Sequence, residues 1–103
     1  MATKKLLNKI CIVRGDRSGV YFGKIVYFKN KEAVIEECRQ IHYWEGACSC
    51  IDIATIGSNK IDACRITREV DSITLTDVIS VIPMTEKAIK ILSEAKTWSM
   101  SKE

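Results

Sequence analysis

Apolar and polar residues alternate along the early part of the chain. In residues 9–15 (KICIVRG) the pattern runs around Ile10, Ile12 and Val13 and predicts a strand. GDRSG at 15–19 predicts a turn, because its two glycines are free to take positive φ. Residues 20–38 (VYFGKIVYFKNKEAVIEEC) are rich in Val, Ile, Tyr and Phe on both sides of KNK at 29–31. That composition predicts a hairpin reversing at KNK. Gly23, inside the first arm, predicts a bulge or sharp bend.

Further on, SCIDIATIG at 49–57 predicts a helix of one or two turns. Ser49 stands as N-cap with Asp52 three residues on, and Gly57 as the residue after the helix. Residues 63–83 predict two or three more strands, broken near 69–72. TEKAIKILSEAKTW at 85–98 is the clearest helix, capped by Thr85, with Ala88, Ile89, Leu92 and Ala95 on its apolar face. The order predicts an α+β fold: a small, mainly antiparallel β-sheet or partly open barrel, with a short mid-chain helix and a C-terminal helix. With no repeat, low-complexity tract or linker, residues 1–103 read as one compact domain.

Composition narrows the class. At 47% apolar and 28% charged residues the chain reads as globular rather than disordered. A net charge of +3, with lysines gathered towards the ends, is too weak for a dedicated DNA binder. A small anionic ligand needs only two or three donors and is not excluded. No apolar run approaches the roughly 20 residues that span a bilayer, and MATKKLLNKI lacks the apolar core of a signal peptide. A cytoplasmic location is the expectation. Five cysteines, an odd number, argue against a secreted disulfide framework and for reduced thiols.

Residues 39–50 (RQIHYWEGACSC) concentrate the candidate chemistry. A metal site from His42, Cys48 and Cys50 lacks the paired spacing of structural zinc. CSC is one residue short of a thioredoxin-like pair. Ser49 or Cys48 with His42 makes only a sparse hydrolytic set. A ligand platform needs a ring, a cation and backbone donors. Alternation puts Ile41 and Tyr43 on one side and His42 and Trp44 on the other, Arg39 lies at the strand end, and the following helix start offers N–H groups to a phosphate. The plain alternative is that Tyr43 and Trp44 are core or subunit-contact residues.

GVYFG at 19–23, CRQIHYWEGACS at 38–49, Gly57 and VIPMTEKAIKIL at 81–92 follow one another in the order shared by a group of small phage and prophage proteins. That group's pattern is GVxFG, then RRxWYWxGA with a short helix ending in Gly, then IIPCTEEAIKS. Gln40 stands where the pattern has a second arginine, His42 its first tryptophan, Cys50 a leucine and Met84 a cysteine. Through this group the chain resembles the phage anti-defence (anti-CBASS) nucleotide sponges. They hold a cyclic dinucleotide immune signal, such as cyclic GMP-AMP, away from the host effector without cleaving it.

The resemblance implies a non-enzymatic homo-oligomer, a tetramer, in the cytoplasm of an infected bacterium, with no cofactor, metal, membrane or DNA partner. On that expectation Tyr43 or Trp44 stacks on a base and Arg39 meets a phosphate or base edge. Ser49 and the backbone around Gly46, Ala47 and Cys48 cradle a phosphate, and Arg65 is a further candidate. The rival readings are a protein-binding inhibitor of a host defence protein, an enzyme degrading a nucleotide signal, and a nucleic-acid binder.

Overall fold

A computed structural model describes residues 6–98. Six strands form one antiparallel sheet: β1 (Ile10–Gly15), β2 (Gly19–Lys29), β3 (Glu32–Tyr43), β4 (Arg65–Ile66), β5 (Val70–Leu75) and β6 (Val78–Pro83). The lateral order is β4-β3-β2-β1-β6, and β5 also pairs with β3. The long strand β3 thus carries β5 against residues 33–38 and β4 against its last residues. Two helices complete the α+β fold: α1 (Cys50–Ile56) and α2 (Glu86–Ser93). The sheet is open, since no ladder joins β5 to β6 among the described residues.

Local chemistry explains the turns. β2 and β3 join through Asn30 and Lys31, with Asn30 at φ 58°, a conformation Asn tolerates better than most side chains. The β1–β2 turn is anchored from a distance. The Asp77 carboxylate accepts the N–H groups of Arg17 and Ser18 at 2.8 and 3.1 Å and the Ser18 hydroxyl at 2.9 Å. These bonds to its charged form hold the Asp77 pKa below the usual aspartate range.

Two register shifts bend the β2–β3 hairpin. Phe22 pairs with Arg39 but Lys24 with Glu36, so β3 carries one extra residue opposite Gly23. Glu37 lies in this bulge at φ 51°. Its effect is visible in the packing: Ile35 and Cys38, three apart, lie in the same apolar cluster. Gly23 permits the bulge, since a Cβ there would lie 2.6 Å from Ile35 Cγ2 and 2.8 Å from the Glu36 carbonyl oxygen.

The two sheet faces carry separate cores. One joins Ile12, Phe22, Ile41 and Ile66 of the strands to Ile53 and Ala54 of α1 and Leu92 of α2. The other is built around strand residues, including Cys11, Val13, Ile25, Ile35 and Leu75, with Leu6 and Leu7 of the preceding segment packed against it. The helices are locked together where α2 begins. Thr85 accepts from Ala88 N–H as N-cap, donates its hydroxyl to the Thr55 carbonyl, and gives its N–H to the Ala54 carbonyl.

Two boundaries differ from expectation. The break in 63–83 falls at 67–69, so β5 already begins at Val70. α2 ends at Ser93, and the chain then runs beside β4, with Trp98 N–H donating to the Ile66 carbonyl at 2.8 Å.

Gly23→Ala should destabilise the domain by about 1–3 kcal/mol in urea unfolding, because backbone stands where the methyl would go. Asp77 stabilises the fold above the usual aspartate range and loses that effect as pH falls through its depressed pKa. Asp77→Ala should therefore melt below wild type at neutral pH, with the gap closing in acid.

Candidate functional site

The residues around 39–65 divide among a clamp, a packed loop, an aromatic ladder and a groove. The clamp is Arg39. It pairs with Phe22 and points to the helix-covered face, where it is 7% exposed. Its Nε donates to the Thr67 carbonyl at 2.8 Å, Nη1 to those of Leu92 and Ser93 at 3.3 and 3.4 Å, and Nη2 to that of Ala95 at 3.1 Å. This guanidinium, expected to meet a phosphate, is instead engaged at the C-terminal end of α2, where it donates to the carbonyls of Leu92, Ser93 and Ala95. A small hollow of about 100 Å³ lies beside it, between Lys24, Glu37 and Glu69.

The loop after β3 is fixed by a polar knot. The Ser58 hydroxyl donates to the Glu45 carbonyl, Lys60 N–H donates to Ser58 Oγ at 3.0 Å, and Glu45 N–H points to Cys64 Sγ at 3.5 Å. Gly46, at φ 81°, folds against this knot; a Cβ would come within 2.6–2.7 Å of Asn59, Lys60 and Ser58. Ala47 packs on the helix-side core. The structure thus explains Gly46 and Ala47 by packing.

Expected alternation also fails at His42. The β3–β4 register shifts between Ile41 and Tyr43, so Ile41 is buried while Tyr43 is 44% exposed. His42 stacks on Trp98, with ring centroids 5.2 Å apart and planes 8° from parallel. The Arg65 guanidinium carbon lies 5.3 Å from the Trp98 ring centre and 5.7 Å from that of Tyr43. Tyr43, Arg65, Trp98 and His42 thus form a ladder of planar groups along the β3–β4 edge. The Tyr43 hydroxyl donates to Glu45 Oε2 at 2.6 Å, and that bond raises its pKa.

The groove, of about 780 Å³, is the hollow of ligand size. Arg14, Val20, Ser80 and Ile82 form its floor, with Arg14 paired to Val20 on one side and Ser80 on the other. Trp44 and residues 48–51 form its wall. Trp44 also packs on the helix-side core, which holds one part of the indole while another part lines the groove. Ser49 lines the groove too, yet its oxygen already accepts the Asp52 N–H at 3.4 Å. The Asp52 carboxylate takes the Cys48 N–H at 3.1 Å. The helix start, expected to cradle a phosphate, is thus capped from within and carries a carboxylate.

The structure therefore keeps Trp44 and Ser49 together, moves Tyr43 and Arg65 to the ladder, and adds Arg14 and Ser80. A signal for Arg14 exists in the sequence. It shares parity with Ile10 and Ile12, so a cation sits on the core-facing side of β1.

The thiols differ sharply. Burial pushes Cys11 up to about 11 and Cys38 up to about 12, whereas Cys48 is exposed and Cys50 half-buried, both on the groove wall. No group of three or more His, Cys, Asp or Glu residues among the described residues is arranged to hold a metal. No helix among them is long and apolar enough to cross a membrane.

Residues 8–92 match the family described as Domain of unknown function (DUF6948). The chain belongs to this family. The DUF6948 match takes in all six strands, α1 and every groove residue, and stops before Ala95 and Trp98. No curated protein matches the chain.

Arg39→Met should remove four side-chain hydrogen bonds, one of them buried, and cost about 1–3 kcal/mol in chemical denaturation. Arg39→Lys should rescue little of it, because a single ammonium cannot reproduce the planar fork.

Proposed function

We propose that this DUF6948 protein is a non-catalytic binder of a cyclic dinucleotide signal, acting by sequestration. One observation carries the reading: a groove of ligand size places an anchored indole, Trp44, in the same lining as an exposed cation, Arg14, with the hydroxyls of Ser49 and Ser80 beside them. A nucleotide asks for a stacking face, a charge partner and hydroxyl donors or acceptors. Trp44 would stack on a base and Arg14 would fork onto a phosphate, the part once expected of Arg39. The resemblance to phage sponges supports the same reading, with a homo-oligomer in the host cytoplasm as its setting.

Sequestration rather than turnover fits the groove's residues. Its lining includes no histidine and no carboxylate, and His42 is stacked on Trp98 in the ladder instead. A histidine- or carboxylate-based acid–base pair therefore has no source in the lining.

The test is thermal melting with a panel of cyclic di- and trinucleotides, followed by boiling and analysis of the released compound. A ligand should raise the melting temperature by several degrees and return intact. Altered ligand would make the protein an enzyme, and no shift with any compound would remove the nucleotide reading. Arg14→Ala should weaken binding at least about tenfold while melting like wild type without ligand, because Arg14 is exposed.

A further inference from the structure

The groove wall holds two thiols, and the residue between them is the N-cap of α1. Cys48 is exposed, Cys50 is the first residue of α1, and both line the groove. Cys11, Cys38 and Cys64 are buried. Ser49 is extended, at φ −160° and ψ 175°, and in that conformation its side chain caps Asp52 N–H. A fully extended residue separates its two neighbours' Cα atoms by about 7 Å. Disulfides usually join Cα atoms about 4.4–6.8 Å apart. Bridging Cys48 to Cys50 at the usual separation therefore requires Ser49 to fold in from this fully extended geometry, which shifts the side chain that caps Asp52 N–H.

From this geometry we infer that Cys48 and Cys50 form a thiol–disulfide switch that exchanges the α1 N-cap for a disulfide and so reshapes the groove wall. The co-reactant is a small disulfide such as oxidised glutathione. The Cys48 thiolate attacks one of its sulfurs, the S–S bond breaks, and one thiol leaves with the electron pair and takes up a proton. The Cys50 thiolate then attacks the Cys48 sulfur and expels the second thiol. Two protein thiols are oxidised and one small disulfide is reduced to two thiols. Cys50 is also packed against the helix-side core, so drawing it towards Cys48 pulls the first turn of α1 away from that core. The Cys48 N–H to Asp52 bond sits in the same turn and is lost with it. The switch does not depend on which ligand the groove takes.

The experiment incubates the full chain with oxidised glutathione and reads intact mass, an unreduced peptide map and amide exchange. The expected product has lost two hydrogens, with the bridge mapped to Cys48 and Cys50. The Asp52 amide should exchange about five- to tenfold faster, as loss of a serine N-cap allows, and dithiothreitol should reverse both changes. Cys48→Ser, an exposed position, should fold normally and show neither change. Three results would overturn the switch: glutathione retained on Cys48 or Cys50 without ring closure, thiols that stay reduced, or a bridge that forms while the Asp52 amide stays as protected as before.

Discussion

A buried guanidinium holds the two halves of the helix-covered face together. Arg39 reaches from the middle of β3 to the loop after β4 and to the end of α2, donating to carbonyls 28 to 56 residues away in sequence. Burial lowers its pKa and the charge of Glu69 raises it. The guanidinium stays charged because even a lowered arginine pKa leaves it protonated at neutral pH. Burial makes the bond to the Leu92 carbonyl the most consequential, while those to Thr67, Ser93 and Ala95 are only partly shielded.

The clamp depends on a backbone irregularity next to it. The extra residue at Glu37 changes the phase of β3, so Cys38 turns to the inner core and Arg39 to the helix face. Gly23 supplies the space for that bulge on the neighbouring strand. Past Arg39 the same strand delivers Ile41 to the core, then turns into the loop that carries Trp44 to the groove. Bulge, clamp and groove wall are thus successive consequences of one strand's path.

Much of this order is legible in the sequence because local signals agree with the fold. The β1–β2 turn, the KNK reversal, the Gly23 bend, and the caps at Ser49, Gly57 and Thr85 all follow from residue type and spacing. The α+β class follows from their order. What no local signal carries is tertiary. Nothing local separates Glu37 from Glu36 as the bulge residue. The stretch 94–98 keeps helix-friendly residues, yet the chain leaves the helix there and pairs beside β4. An arginine near the end of a strand reads as a surface cation until its carbonyl partners, far off in sequence, are in place. Of the candidate residues Trp44 and Ser49 line the groove, while Arg14, also in the lining, sits in a strand whose pattern is dominated by apolar residues.

The ways in which charge is held differ across the sheet. Arg39 is gripped by carbonyls and Arg65 by rings, groups that do not titrate in the acid range. Where the β1–β2 turn meets the start of β6, one ionised carboxylate adds its bonds to the Asp16 N–H to Asp77 carbonyl bond. Acid therefore acts as a selective solvent for this fold. It weakens the Asp77 side-chain bonds while the contacts of Arg39 to carbonyls and of Arg65 to rings remain.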